Sequence, residues 1–138
     1  MKNPTSKHVL PKPNGTGDFK MTLIENGMPK LEHDFKRIVF SQRLIAGVDN
    51  GPDFVLSLFA NDGTPDFRQG KFDVGPSAPC QSQLHIQSEL KINADADSGH
   101  VDFKVVSDSR ITGSYSCRYS ANNLTYEAQG EFDIASSK

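Results

Sequence analysis

The sequence has no tryptophan, only two cysteines and no long apolar run among its 138 residues. A helix needs about 18 to 20 consecutive apolar residues to span a bilayer, so the sequence encodes no transmembrane helix. An excess of basic residues is also missing, because 15 Lys and Arg stand against 17 Asp and Glu and give a formal net charge of -2. Proteins that bind nucleic acids usually present a basic stripe or patch. The composition therefore argues against nucleic acid as a partner.

Stretches with the helical apolar period are lacking from residue 18 onward, where apolar and polar residues alternate instead. Such alternation is typical of half-buried strands. Hydrophobic residues make up 36% of the chain, which suits sheets with one solvated face. The cleanest alternation runs from Leu84 to Ala94 and predicts one antiparallel strand. Asn26-Gly27 and Asn122-Asn123 predict tight turns, because these residue types tolerate positive φ.

About eight strands in successive hairpins follow from this pattern. They predict an all-β fold, either an antiparallel β-sandwich or an eight-stranded up-and-down barrel, and the sequence leaves both open. The segment Gln69 to Val74 returns nearly unchanged as Gln129 to Ile134. Such internal similarity indicates two related four-stranded halves. The alternative is that two hairpins converged on common turn and strand residues.

The first 17 residues differ from the rest in composition. They carry Lys2, Lys7 and Lys12 without an acidic residue, together with three prolines and two glycines. This composition predicts a flexible N-terminal leader over residues 1–17. Residues 18–138 then form a single β-domain, since the length suits one domain with its own core.

Cys80 and Cys117 lie far apart in the sequence and in no Cys-x-x-Cys pair. They can form one disulfide in an oxidising compartment or remain two buried thiols in a reducing one. We predict the disulfide, because Cys80 lies in a proline-rich connector and Cys117 lies on a predicted inward face. A bridge closing about 37 residues would stabilise the domain by about 3 to 4 kcal/mol.

Motifs of the common enzyme classes are absent from the sequence: there is no nucleophile elbow, phosphate-binding loop, dinucleotide fingerprint or local metal-ligand spacing. We therefore expect a protein that is not an enzyme and that holds no cofactor and no metal. The one acid-base grouping that strands could assemble is His85, Glu89 and His100. Exposure on a polar sheet face is the alternative for all three.

Tyr115, Tyr119 and Tyr126 cluster near Arg118 in the last predicted hairpin. Tyrosines beside an arginine are common anchors of recognition surfaces. These four residues are therefore the predicted binding site. The same tyrosines on an inward face would be core residues instead.

Three C-terminal stretches, Gly99 to Phe103, Arg110 to Ser116 and Gly130 to Asp133, resemble the ending of many small, uncharacterised exported β-domains of bacteria. The resemblance covers the last quarter of the chain. It implies a secreted or periplasmic location and a β-sandwich, with no activity to carry over. A cytoplasmic location is the alternative, because Pro11 interrupts the apolar Val9-Leu10 pair and no signal-peptide region is present.

We therefore expect a monomeric, non-enzymatic, exported bacterial β-domain that binds another macromolecule through strand edges or loops. The partner itself is unknown from the sequence. The alternative, from a different class, is a lipocalin-like barrel that carries a small apolar ligand, since eight closed strands leave room for side chains or one small ligand.

Overall fold

The structure is a computed structural model that describes residues 12–50, 53–87 and 90–136. Within these ranges the chain forms eleven β-strands and no helix, in one antiparallel sheet curled into a half-barrel. The all-β prediction is confirmed, whereas the predicted number of eight strands is too low. The strands are β1 (Gly15–Glu25), β2 (Met28–Asp34), β3 (Ile38–Phe40), β4 (Leu44–Asp49), β5 (Phe54–Ala60), β6 (Gly70–Asp73), β7 (Cys80–Ile86), β8 (Ile92–Asp95), β9 (Ser98–Val106), β10 (Arg110–Ala121) and β11 (Leu124–Ser136).

The strands follow the order β6-β9-β10-β11-β1-β3-β4-β5-β7-β8, and β2 pairs with β1 beside this path. Strand β1 therefore pairs with β11, with β2 over its second half and with β3 at Gly15. The chain between β8 and β9 bonds to two strands, because Ala96 N donates to Ser82 O of β7 and Asp97 N donates to Arg118 O of β10. This segment therefore brings β7 and β10 close to each other.

The core consists of side chains on the inner face of the curled sheet. Phe19 packs against Phe35 and Tyr115, with ring centroids 5.4 Å and 5.9 Å apart, and Phe103 packs against Phe132 at 5.9 Å. All five side chains are buried. Burial of such large apolar surfaces is the main favourable contribution to folding.

Both tight turns predicted from the sequence are present. Asn26 and Gly27 have φ values of 49° and 85°, and Asn122 and Asn123 have values of 55° and 63°. They join β1 to β2 and β10 to β11. Positive φ at both central residues gives a turn whose twist matches that of the flanking strands. The turn predictions are therefore confirmed.

The prediction of one strand from Leu84 to Ala94 is wrong. The chain reverses after Ile86, and β8 returns antiparallel to β7 with Ile92 opposite Ile86. Partners in this hairpin are either both even-numbered or both odd-numbered, so the alternation of apolar residues in the sequence continues from β7 to β8. Periodicity alone could not reveal the reversal.

The two similar segments occupy different places in the sheet. Gln69 to Val74 contains the short strand β6, which pairs with β9, whereas Gln129 to Ile134 lies within β11, between β1 and β10. Their origin by duplication stays a prediction. At the N-terminus, β1 begins at Gly15, so residues 15–17 of the predicted leader belong to a strand. Residues 1–11 of that leader lie outside the described residues.

The prediction of a disulfide is also corrected by the structure, because Cys80 and Cys117 are two free, buried thiols. Cys80 opens β7 and Cys117 lies in β10, and these strands do not pair with each other. Burial raises the pKa of Cys80 to about 11 and that of Cys117 to about 12. Since the thiolate is the reactive form, both side chains act as packing residues at neutral pH.

Candidate functional site

The predicted tyrosine site does not form a surface. Tyr115, Tyr119 and Tyr126 are only 3%, 0% and 2% exposed. The hydroxyl of Tyr115 donates to Lys20 O at 2.6 Å, and burial raises the pKa of both Tyr115 and Tyr119 well above the ordinary value. Arg118 alone is exposed, on the opposite face of β10. The three tyrosines are therefore core residues, as in the alternative interpretation of the sequence.

Arg118 lies at an open surface groove of about 390 Å³ where the β1–β2 turn meets β11. Asn26 N donates to Thr125 O at 2.8 Å, and Thr125 N donates to Asn26 Oδ1 at 3.0 Å. These two hydrogen bonds fix the position of the turn. The groove is lined by Ile24, Asn26, Gly27, Arg118, Thr125 and Glu127.

The charged groups of this groove differ in their partners. Glu127 lies opposite Arg118 in the β10–β11 ladder, and its carboxylate accepts a hydrogen bond of 2.8 Å from Ser116 Oγ. Arg118 forms no salt bridge with any described residue. The groove is therefore an open surface feature with both polar and apolar lining, and it does not enclose a small molecule.

Beyond the same turn, β2 forms a free edge of the sheet. It pairs with β1 alone among the described strands, and five of its seven residues are exposed. Phe35 N donates to Phe19 O at 2.9 Å, and His33 lies opposite Met21. Main-chain polar groups alternate between the two edges of a strand, so those of Glu32 and Asp34 point away from β1.

The two halves of β2 differ in how readily they could accept another strand. Pro29 lacks an N–H, and the register shift between Leu23 and Ile24 marks a bulge near Lys30. Proline and bulges protect edge strands from pairing. From Leu31 onward β2 has neither feature, so its second half is the open part of the edge.

A buried carboxylate holds this second half in place. Asp49, at the end of β4, is 8% exposed, and its Oδ2 lies 2.7 Å from Nε2 of His33. The same carboxylate accepts hydrogen bonds from the N–H groups of Lys36 and Arg37, at 3.1 Å and 3.2 Å. Charge-assisted hydrogen bonds of this kind are stronger than neutral ones. They fasten the end of β2 to β4.

Aromatic contacts continue this attachment on the inner face of β2. The ring of His33 stacks on Phe54 of β5 with centroids 4.3 Å apart and meets Phe35 edge-on at 4.7 Å. Leu31, two residues earlier, packs against the core. The inner face of the open edge is thus apolar and ordered.

The outer face of β2 is acidic in its second half. Glu32 and Asp34 are exposed, and neither forms a salt bridge within the described part of the chain. Lys30 is already paired with Glu25 at 3.8 Å. Two free carboxylates therefore flank the edge whose main-chain groups face solvent.

The other groups considered from the sequence do not assemble into a site. Glu89 lies outside the described residues, and His85 and His100 lie on β7 and β9, which do not pair with each other. Over residues 12–50, 53–87 and 90–136, no three His, Cys, Asp or Glu side chains lie close enough to hold a metal ion. No helix long and apolar enough to cross a membrane occurs in the same ranges.

Sequence reasoning missed the whole β2 edge, including His33 and its partner Asp49. The signal available was the Asn26-Gly27 turn, since a hairpin turn requires a second strand after it. Comparison with known proteins found no matching family model, no matching curated protein and no matching solved structure. The resemblance to exported bacterial β-domains therefore stays a prediction.

Proposed function

We propose that this chain is a non-enzymatic binding domain that takes up an extended segment of another polypeptide as an added strand beside β2. The observation that carries the proposal is the open second half of β2, where the main-chain groups of Glu32 and Asp34 point away from β1. In strand addition, main-chain hydrogen bonds give affinity and side-chain positions give specificity.

The attachment of β2 to the rest of the sheet supports this proposal. Asp49 and Phe54 hold His33 from two other strands, so the edge is ordered before a partner arrives. A site that is already ordered loses less conformational entropy on binding. A rigid edge of this kind suits a docking strand better than a mobile loop does.

The two ends of the strand order, β6 and β8, offer poorer edges, and each contains only four residues. Strand β6 contains four residues against the seven of β2, and its Phe72 ring lies under the guanidinium of Arg68 at 4.5 Å. Short edge strands resist pairing with another chain. Strand β2 is therefore the longest of the three edge strands, β2, β6 and β8, that the described residues present.

We also propose that the curled sheet is a barrel of eight strands, in which β8 and β9 count as one bent strand and β2 and β6 lie beside the ring. The hydrogen bonds of Ala96 and Asp97 to β7 and β10 support this closure. Side chains just fill the interior of a barrel of that size. Rings such as Phe19, Phe103 and Tyr115 pack there, which favours surface binding over the lipocalin-like alternative.

The exported location, secreted or periplasmic, remains part of the proposal on the strength of the sequence resemblance alone. The monomeric state likewise stays an expectation from the sequence, but it does not come from the resemblance. Neither affects the chemistry of strand addition, which needs only a partner segment and an open edge.

Removal of one main-chain donor tests the proposal. We would select peptides from a random phage-displayed library on the wild-type protein and measure their affinity for two variants, Glu32→Pro and Glu32→Thr. Both variants lose the carboxylate, but only proline removes the outward N–H. We expect the proline variant to bind about tenfold more weakly than the threonine variant, the effect of about one lost hydrogen bond.

One control keeps this comparison sound. The urea midpoints of the two variants must agree, because Glu32 N does not bond to β1 and its loss should leave the ladder intact. Peptides that bind both variants equally would contradict strand addition at β2, as would a selection that yields no binding peptide.

A further inference from the structure

We infer that the partner segment carries basic side chains at alternate positions, with an apolar or aromatic side chain between them. This inference rests on the strand addition proposed above and specifies the chemistry of the strand that β2 accepts. It follows from which side chains of β2 lie on the outer face of the sheet and which lie on the inner face, next to the added strand.

The basic positions follow from Glu32 and Asp34. Residues directly opposite each other on antiparallel strands project their side chains from the same face of the sheet. The partner residues opposite Glu32 and Asp34 would therefore lie beside two exposed carboxylates that have no salt bridge within the described residues. Opposite charges in such cross-strand pairs stabilise a sheet, whereas like charges destabilise it.

The apolar position follows from His33. The partner residue opposite His33 projects toward the inner face, where that ring stacks on Phe54 and where Leu31 packs against the core. The side chain of His33 is 27% exposed, and Leu31 and Phe54 are each half-buried. An apolar or aromatic side chain would cover this remaining surface and remove it from water.

Nearby positive charges do not cancel the acidic pair. Lys20 lies opposite Asp34 but belongs to β1, on the side of β2 away from an added strand, and it forms no salt bridge among the described residues. Lys30 is engaged by Glu25. Lys36 is exposed but follows the end of β2. The carboxylates of Glu32 and Asp34 therefore remain the charges next to the open edge.

The same acidic pair argues against a second copy of this chain as the occupant. Antiparallel pairing of two β2 strands through their outward main-chain groups places Glu32 opposite Glu32 of the second copy, or opposite its Asp34. Both registers bring like charges together, which destabilises the pairing. Charged edges protect sheets from self-association in this way. The edge thus favours a basic segment from another protein.

Three synthetic peptides test the inference. They share Val and Tyr at the inward positions and differ at the outward positions: Lys-Val-Lys-Tyr-Lys-Val-Lys, the same peptide with Glu for Lys, and the same with Thr. We expect the lysine peptide to bind wild type about tenfold more tightly than the glutamate peptide, since two cross-strand pairs change sign. In the double variant Glu32→Lys, Asp34→Lys this preference should reverse.

A second double variant controls for overall charge. Asp62→Lys, Asp108→Lys changes the net charge by the same amount at two exposed residues outside the strands. It should retain the preference of wild type for the lysine peptide. Loss of the preference in this control would overturn the inference, because the selection would then depend on net charge and not on β2.

Amide exchange at Glu32 and Asp34 distinguishes the two levels of the proposal. If all three peptides bind with equal affinity and slow exchange at both amides, strand addition stands and the basic preference is wrong. If the glutamate peptide binds more tightly than the lysine peptide, the basic preference is again wrong. If no peptide slows exchange at these amides, both proposals fail.

Discussion

Among single residues, Gly47 has a large influence on where the β2 edge is anchored. Phe35 connects β2 to β3, and its buried ring lies directly over Gly47 of β4. A Cβ atom at position 47 would overlap that ring. The missing side chain at Gly47 therefore gives Phe35 its place in the core, and Phe35 in turn positions the end of β2.

Substitution of this glycine should weaken the fold. We expect Gly47→Ala to lower the free energy of unfolding by about 2 to 3 kcal/mol, because an overpacked core must displace the ring. Gly15→Ala is the matched control in β1, where the atom nearest to the added Cβ would be Ile38 Cγ2 at 3.1 Å. This substitution should lower the free energy of unfolding by less than about 1 kcal/mol. Urea denaturation measures both, and equal midpoints for the two variants would contradict this packing.

The role of Asp49 illustrates what the sequence could not predict for single residues. In the sequence it precedes Asn50 and Gly51 and reads as a turn residue. In the structure its carboxylate binds His33 and the N–H groups of Lys36 and Arg37, which lie 12 to 16 residues earlier. Such partners depend on how β2 and β4 are arranged in space, which no local pattern reports. The burial of Tyr115 and Tyr119, by contrast, agrees with the alternation along β10 and with the alternative interpretation of the sequence.

At the level of elements, β2 was missed because its own pattern is irregular. Pro29 and the bulge near Lys30 interrupt the alternation, and only Leu31, His33 and Phe35 keep it. The Asn26-Gly27 turn carried the stronger signal, since a two-residue turn with positive φ joins paired strands. Strand β8 was missed for the opposite reason, because an unbroken alternation concealed the turn before it.

The start of β9, just after the bend from β8, has a geometry that depends on glycine. Gly99 has a φ of 146°, and a Cβ there would overlap the carbonyl of Ser116 and the backbone of Cys117 in β10. At this point the chain leaves β7 and joins β10. A side chain would separate β9 from β10 at the start of their ladder.

We expect Gly99→Ala to lower the free energy of unfolding by about 3 kcal/mol or more, from overpacking and backbone strain together. Gly63→Ala is the control, because Gly63 also has a positive φ, of 83°, but has nothing within 4 Å of the added Cβ. The Gly63 substitution should lower the free energy of unfolding only by the cost of backbone strain, about 1 to 2 kcal/mol. Thermal or urea unfolding compares them. A Gly99 variant no weaker than the Gly63 variant would show that β9 tolerates a side chain at the bend.

For the whole molecule, the all-β class could be predicted because alternation is a local property of each strand. The order of the strands could not. Strand β1 pairs with β11 from the far end of the chain, with Gly15 opposite Ser136, and nothing in either segment specifies the other. The half-barrel, and the free edge that it leaves at β2, arise from such long-range pairings. The candidate site therefore arises from the order in which the strands pair and not from a local sequence motif.

The central claim is that the second half of β2 is an open edge that accepts a strand. Residue-resolved amide exchange by NMR measures this most directly, first on the free protein and then with the lysine peptide. We expect the amides of Leu31 and His33 to exchange slowly in the free protein, since they face β1, and those of Glu32 and Asp34 to exchange quickly. The peptide should slow the latter pair by at least about tenfold. Protection of Glu32 and Asp34 already in the free protein, or unchanged exchange at saturating peptide, would contradict the account.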